Sequence, residues 1–160
     1  MEGRKLGRSG VELPVIGLGT WRRLEAAAAA GRHRELLASA LAAGMRLVDT
    51  SPMYGGAERL LAEALDSTDD PDNIGSPGGG GRRDEVVVAD KIWTPSPEEG
   101  VAQLARALAW YGGRVDLMQI HNLVAWSAHL PMLQAARADG RVGLVGATHH
   151  SPGAFGNWPS

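Results

Sequence analysis

The sequence predicts an α/β fold of about five parallel strands with alternating helices, arranged as a partial (β/α)8 TIM barrel. Strand-like apolar runs centre near residues 17, 47, 88, 118 and 145, a repeat of about 30 residues once an insertion over 66–83 is set aside. Strand–helix repeats of this length form right-handed parallel βαβ units. An open dinucleotide-binding sheet would carry Gly-x-Gly-x-x-Gly after its first strand, but Arg22 stands in place of the third glycine. The barrel is therefore the favoured arrangement.

Composition restricts the class of protein further. The 160 residues suit a single domain over 1–160, and 44% hydrophobic with 21% charged residues is typical of a globular chain. A net charge of −2 argues against a nucleic-acid partner, which requires a basic surface. Cysteine is absent, and no apolar run approaches the ~20 residues of a membrane span. We therefore expect a cytoplasmic protein without disulfides and with neither a nucleic-acid nor a membrane partner.

The first 89 residues contain three predicted strands and two predicted helices. A polar segment over 3–13 suits a hairpin with its turn at Ser9-Gly10, and apolar runs over 15–19, 45–48 and 85–89 suit strands. Helices are predicted over 33–43, with Gly44 as the stop, and over 57–65, where apolar residues recur on one face. The alanine run over 26–30 also favours a helix. Residues 66–83, with their glycine run, suit a flexible surface insertion.

The remaining residues predict two more strands and two more helices. Ser96 and Pro97, followed by Glu99, form a strong helix start, with Ser as the N-cap and Glu three residues later. A strand is predicted over 116–120, a helix over 131–138 that ends before Gly140, and a last strand over 142–147.

Polar side chains follow four of the predicted strands. Asp49, Lys91 and His121 each lie one or two residues beyond a different strand, and Thr148 and His149 end the last one. In a parallel barrel, these strand ends converge on the face where active sites are built. For each residue alone, a structural role such as closing a strand, capping a helix or meeting solvent is the better explanation. Ionisable groups on three successive strands favour a shared site.

Lys91 and Tyr54 suggest acid–base chemistry at that site. The chain has only two lysines, Lys5 and Lys91, among sixteen basic residues, so a lysine beside a buried strand suggests a role that arginine does not fill. A lysine ammonium beside Tyr54 would favour the phenolate and lower the tyrosine pKa towards neutrality, which suits a proton donor to a carbonyl oxygen. A carboxylate at Asp49 would hold the ammonium. The alternative is that Lys91 simply pairs with Asp90 or Asp49.

Several motifs resemble those of the aldo-keto reductases, in the same order and spacing. They are Asp49-Thr-x-Pro-x-Tyr54-Gly, Val86-Val-Val-Ala-x-Lys91, Val115-Asp-Leu-x-Gln-Ile-His121, the opening Arg4-Lys-Leu-Gly-Arg-Ser-Gly with Ile16-Gly-Leu-Gly-Thr-Trp21, and Gly140-Arg-Val-Gly-Leu-Val-Gly-Ala-Thr148. The likeness extends from about residue 3 to about residue 155, nearly the whole chain.

The resemblance implies an NADP(H)-dependent reduction of a small aldehyde or ketone, without a metal. It gives Tyr54 the role of general acid, Lys91 and Asp49 the tuning of that acid, and His121 the orientation of the substrate carbonyl. Cofactor-binding positions are also implied, and these match Thr20, Trp21, Asp49, Thr148 and His149. His149 departs from the amide that the family often has at its position. A metal site built on His121, His149 and His150 is disfavoured because the first strand lacks the His-x-His of metal-dependent barrel hydrolases.

Length is the main departure from a complete barrel. A barrel needs eight βα units and typically about 250 residues, whereas five strands are predicted here. The favoured expectation is an incomplete reductase barrel whose activity depends on the missing part. Two alternatives stay open: a half-barrel completed by another chain or by self-association through an exposed sheet edge, and a non-catalytic α/β module that binds no dinucleotide.

Overall fold

A computed structural model describes residues 1–7, 9–66 and 82–157 of the chain. Most of the predicted insertion over 66–83 therefore lies outside the described residues. Two compact units, Met1–Ala89 and Asp90–Ser160, are distinguished within the structure. Five strands, β3 to β7, follow chain order in one sheet, and together with the helices between them they confirm the predicted α/β class. The prediction of a single incomplete barrel domain over 1–160 stays a prediction.

The first unit opens with the predicted hairpin. Strand β1 (Gly3–Lys5) pairs antiparallel with β2 (Glu12–Pro14), with Arg4 opposite Leu13. The turn between them contains Gly7 and Gly10, both at positive φ, a conformation that costs glycine little. Leu13 is buried, so the hairpin is attached to the unit by an apolar side chain.

Three parallel strands follow: β3 (Leu18–Gly19), β4 (Leu47–Asp49) and β5 (Val87–Ile92). Leu18 pairs with Val48, and Val48 pairs with Val88, so the centre of the sheet is a row of buried or half-buried aliphatic side chains. The first strand is shorter than the predicted 15–19 because Val15 and Ile16 are exposed rather than paired in the parallel sheet. Gly17 passes so close to the neighbouring strand that a Cβ there would lie 2.8 Å from the Leu47 carbonyl oxygen.

The helices of the first unit are α1 (Arg23–Ala29), α2 (His33–Ala42) and α3 (Ala57–Leu65), which confirms the two predicted helices and the helical alanine run. Helix α3 is strongly amphipathic: Leu60, Leu61 and Leu65 are buried, whereas Arg59 is exposed. The spacing of these three leucines places them on one face of the helix, and this face packs into the core.

The second unit contains α4 (Pro97–Trp110), β6 (Val115–His121), α5 (Trp126–Ala138) and β7 (Val142–Thr148). The predicted start of α4 is confirmed, since the Ser96 hydroxyl accepts the Glu99 N–H at 3.2 Å. The prediction of 131–138 for α5 is too short. The helix begins at Trp126 and includes Pro131 in its second turn, after a tight loop in which Asn122, Leu123 and Ala125 have positive φ. Strands β6 and β7 pair in parallel from Val115↔Val142 to His121↔Thr148.

In the described part of the chain, no helix combines the length and the apolar character that crossing a membrane requires. The cytoplasmic location expected from the sequence stays a prediction.

Candidate active site

Asp49 and Thr20 lie next to each other at the carboxyl ends of β4 and β3. Gly19 pairs with Asp49, and the following residue, Thr20, donates both its backbone N–H and its hydroxyl to the Asp49 carbonyl oxygen, each at 3.0 Å. Thr20 is buried, so these two hydrogen bonds fix the strand end that carries the Asp49 carboxylate. The hydroxyl of Thr20 is thus used within the protein, and its predicted contact with a cofactor stays a prediction.

A tight loop after β4 carries Tyr54. The Thr50 N–H donates to the Ala89 carbonyl at 2.9 Å, which extends the β4–β5 pairing by one residue. Ser51 then closes a turn: its carbonyl accepts the Tyr54 N–H at 2.9 Å, and its hydroxyl oxygen accepts the Met53 N–H at 3.3 Å. Ser51 is fully buried, whereas Tyr54 is half-buried. The loop therefore holds the phenol at the surface end of the strand.

Glu25 of α1 anchors the same loop from the other side. Its carboxylate oxygen accepts the Gly56 N–H at 2.8 Å, a contact between residues 31 positions apart. Gly56 is the N-cap of α3, where a negative charge is favourable because the first N–H groups of a helix lack internal partners. Gly55 has φ +64 and packs directly against this carboxylate. Glu25 was not predicted as a site residue, since nothing in an alanine-rich helix marks one exposed carboxylate as an anchor.

Trp21 lies beside Tyr54, so the structure brings together two residues that the sequence predicted for one site. The two ring centroids are 6.3 Å apart and the rings are inclined by 33°. Trp21 is 58% exposed, and the Arg22 guanidinium lies over its ring at 4.7 Å. The indole thus lies at the surface next to the phenol, with the Arg22 guanidinium over its ring.

The pKa of Tyr54 is raised above its ordinary value, and the prediction of a lowered pKa is therefore wrong for this structure. Burial of the phenol is the largest cause and the negative charge of Asp49 is the second, because both disfavour the phenolate. A cation beside the tyrosine would lower its pKa, but the loop buries the phenol and the carboxylate at the end of β4 adds a negative charge.

Lys91 lies near the end of β5, at the start of the second unit, and is only 3% exposed. Its backbone N–H donates to the Oδ1 atom of Asp90 at 2.7 Å. Asp90 is also buried. Because successive side chains of a strand point to opposite faces, the two residues project to different sides of β5. A nearly buried ammonium is costly unless its surroundings compensate it, and such groups concentrate at functional sites.

His121 and Thr148 are neighbours across the β6–β7 pair. The strand register sets them opposite each other, and the Thr148 hydroxyl lies 2.9 Å from the His121 Nδ1 atom. The same hydroxyl oxygen accepts the Asn122 N–H at 3.4 Å. The imidazole is therefore oriented by a strand neighbour, as a group that positions a substrate requires. Thr148 uses its hydroxyl in this contact, and its predicted role towards a cofactor is untested.

His149 closes the strand with a local hydrogen bond. Its Nδ1 atom accepts the Ser151 N–H at 2.9 Å. Its ring stacks on His150, with centroids 4.4 Å apart, and meets the Phe155 ring edge-on at 6.5 Å. Over residues 1–7, 9–66 and 82–157, the structure contains no group of three or more side chains that could hold a metal ion.

Known structures define the class to which this fold belongs. An aldo/keto reductase from Brucella melitensis matches with a TM-score of 0.68 at 21% identity, covering 96% of this chain and 56% of that protein. An aldo-keto reductase from Klebsiella pneumoniae in complex with NADPH matches with a TM-score of 0.67 at 22% identity. The match covers 91% of this chain and 49% of that protein. The fold is that of the aldo-keto reductases, which have the TIM barrel architecture, and about half of such a protein is covered.

Sequence comparison gives the family itself. The family model "Aldo/keto reductase family" matches residues 15–154, so the chain belongs to the aldo/keto reductase family and the resemblance in its motifs is confirmed. A relative from Mycobacterium tuberculosis, named an uncharacterized oxidoreductase, is 31% identical over 150 residues, which is 85% of this chain and 42% of the relative. Aldo-keto reductase family 1 member A1 of Cricetulus griseus is 34% identical over 103 residues, 63% of this chain and 28% of that protein. The chain spans less than half the length of these relatives.

Proposed function

We propose that this chain carries the proton-donating machinery of an NADP(H)-dependent reductase that converts a small aldehyde or ketone to an alcohol. The observation that carries the proposal is the setting of Tyr54: a half-buried phenol, fixed by its loop, with the Asp49 charge and the Trp21 ring as neighbours. Family membership and the NADPH in the Klebsiella pneumoniae structure support the reaction class and the cofactor.

In this mechanism, Tyr54 holds the proton that the carbonyl oxygen of the substrate takes up. A phenol of ordinary pKa, about 10, is protonated at neutral pH, and burial and Asp49 raise the pKa of Tyr54 further, so the proton is in place before the substrate arrives. Negative charge then develops on the substrate oxygen, and the phenol proton passes to it. General acid catalysis of this kind contributes about 10²–10⁴-fold to the rate.

Three further residues have supporting roles in the proposal. By its match to the family motif, Lys91 is assigned as the cation that stabilises the phenolate left by proton transfer. Asp49 is the carboxylate that balances this cation. His121, whose ring is oriented by Thr148, directs the substrate carbonyl towards the proton donor.

The residues present fit the nicotinamide end of the cofactor. Trp21 offers an exposed indole beside Tyr54, and an aromatic ring suits contact with a planar group. Thr20, Trp21 and Asp49 would line one side of the cofactor, and Thr148 and His149 the carboxamide. When bound, NADPH supplies the hydride that adds to the carbonyl carbon.

The proposal is tested by removing one hydroxyl at each of the two tyrosines in turn. Purified chain, Tyr54→Phe and the matched control Tyr111→Phe are compared for NADPH binding, followed by tryptophan fluorescence, and for NADPH oxidation at 340 nm with 4-nitrobenzaldehyde. We expect all three to bind NADPH and only Tyr54→Phe to lose about 10²-fold or more in kcat. A wild-type chain that neither binds NADPH nor reduces the aldehyde, or an active Tyr54→Phe, overturns the proposal.

We also propose self-association through β7 as an alternative function of this chain. Strand β7 is the last strand of the sheet, and Leu144 and Val145 within it are half-buried rather than buried. An edge strand whose apolar side chains are only half-buried favours pairing with a second copy of the chain. Sedimentation velocity over a hundredfold concentration range tests this, and a monomer throughout contradicts it.

A further inference from the structure

The backbone immediately after Lys91 is held by one buried side chain of α4. The Gln103 Oε1 atom accepts the Trp93 N–H at 2.8 Å, and the Gln103 Nε2–H donates to the Trp93 carbonyl at 3.1 Å. A single amide side chain therefore satisfies both polar groups of Trp93, as a neighbouring strand would. Gln103 is only 7% exposed and lies on the buried face of α4 with Gly100, Leu104 and Ala107.

A second buried polar side chain holds the next residue of the same loop. The His129 Nε2 atom of α5 lies 2.8 Å from the Thr94 carbonyl oxygen. Since a carbonyl only accepts, the Nε2 atom carries the proton and donates. His129 is 1% exposed, and the absence of a side chain at Gly100 makes room for its ring.

The loop then continues into α4 through further hydrogen bonds. The Thr94 hydroxyl oxygen accepts the Ser96 N–H at 3.1 Å, and the Ser96 hydroxyl caps the helix. From Trp93 to the first turn of α4, the path of the chain is thus fixed by specific polar contacts rather than by apolar packing alone. Buried amide and imidazole groups are costly unless they are hydrogen-bonded, and an apolar residue at either position would avoid that cost.

Trp93 and Thr94 lie just beyond the end of β5, two and three positions after Lys91. Only Ile92 separates Lys91 from the held backbone of Trp93. Any rotation of the backbone at Trp93 is passed to Lys91 through this single residue and changes the direction in which the Lys91 side chain leaves the strand. Fixing Trp93 and Thr94 therefore fixes the backbone from which the ammonium projects.

We propose that Gln103 and His129 are positioning residues for Lys91: they hold the end of β5 so that the buried ammonium has one direction. The assignment of a role to that ammonium rests on the proposed function. Neither side chain touches the reacting atoms, so both act through the backbone of the Trp93–Thr94 loop.

Lysine signals in NMR spectra test the proposal without any need for turnover. Labelling with ¹³C-lysine gives two lysine side-chain signals, because only Lys5 and Lys91 are present. In Gln103→Leu we expect the Lys91 signals to shift and broaden, the Lys5 signals to stay, and the Trp93 amide to exchange with solvent about tenfold faster. The matched control is Gln134→Leu, since Gln134 is exposed on α5.

Two further measurements distinguish a positioning role of Gln103 from a general loss of structure. Gln103→Glu keeps the acceptor for the Trp93 N–H and removes only the bond donated to the Trp93 carbonyl, because a carboxylate has no donor, so it should give a smaller change in the Lys91 signals than Gln103→Leu. Where the wild type has turnover, Gln103→Leu should lower kcat about tenfold and leave the KM for NADPH within about twofold. Unchanged Lys91 signals in a folded Gln103→Leu, or the same changes in Gln134→Leu, overturn the positioning role. A wild type without turnover instead contradicts the proposed function alone.

Discussion

Gly100→Ala tests the packing of α4 against His129. Alanine is normally the better helix residue, and replacing a glycine within a helix gains about 1 kcal/mol. In this chain, however, a Cβ at position 100 would lie 2.5 Å from the His129 Cε1 atom and 2.6 Å from its Nδ1 atom. These distances are far below van der Waals contact, so the imidazole has to move.

Moving the imidazole costs free energy, and this cost determines by how much Gly100→Ala lowers the free energy of unfolding. Overpacking of a core costs about 1–3 kcal/mol. Displacing the ring also weakens the hydrogen bond from His129 to the Thr94 carbonyl, a loss of about 1 kcal/mol. After the gain in helix propensity is subtracted, we expect Gly100→Ala to lower the free energy of unfolding by about 2 kcal/mol.

Urea unfolding followed by circular dichroism measures this difference. The control is Gly156→Ala, because a Cβ at Gly156 meets nothing within 4 Å. In a His129→Ala background the sign should reverse, since the nearest remaining neighbour, the Ile92 Cγ2 atom at 3.5 Å, is at ordinary contact distance. If Gly100→Ala stabilises the wild-type chain, or destabilises it equally in the His129→Ala background, the packing argument is refuted.

Two further predictions concern the cap of α4 and the ionisation of Tyr54. Ser96→Ala removes the acceptor of the Glu99 N–H and should lower the free energy of unfolding by about 1 kcal/mol, whereas Ser39→Ala on the exposed face of α2 should change it by less than about 0.5 kcal/mol. Equal effects in urea unfolding would contradict the capping role. Asp49→Asn should lower the pKa of Tyr54 and leave it above its ordinary value, because burial is the larger cause of the increase. Absorbance at 295 nm in a Tyr111→Phe background follows this titration, and an unchanged midpoint would contradict the contribution of Asp49. The raised pKa also means that the unfolded chain ionises first, so the Tyr54 contribution to stability is intact below about pH 10 and is lost as the pH rises through the folded pKa.

Local signals predicted most of the secondary structure. The Ser96-Pro97 start of α4, the valine run of β5 and the apolar face of α3 each specify their element within a few residues, and all three were predicted correctly. The length of β3 and the start of α5 were not predicted correctly, because both depend on tertiary contacts. A strand forms only where its neighbour runs alongside, and Pro131, a residue type typical of the first turn, lies here in the second turn of a helix that begins at Trp126.

The candidate site was also predictable only in part, because its geometry depends on tertiary contacts. The predicted strand ends identified Asp49, Lys91 and His121, but the strands extend further than predicted, and the three residues lie within the last two positions of β4, β5 and β6 rather than beyond them. The contacts that orient the site join residues far apart in sequence, such as Glu25 with Gly56, and no local pattern marks them. The direction of the Tyr54 pKa shift also depends on burial, which is a property of the folded loop.

The central claim is that Tyr54 donates the proton in the reduction of a carbonyl. The most direct test is the ratio of kcat/KM between wild-type chain and Tyr54→Phe, measured as NADPH oxidation with 4-nitrobenzaldehyde at neutral pH. We predict a ratio of about 10² or more, with NADPH binding retained in both proteins. A ratio near one, or a wild-type rate no higher than the uncatalysed background, would contradict the claim.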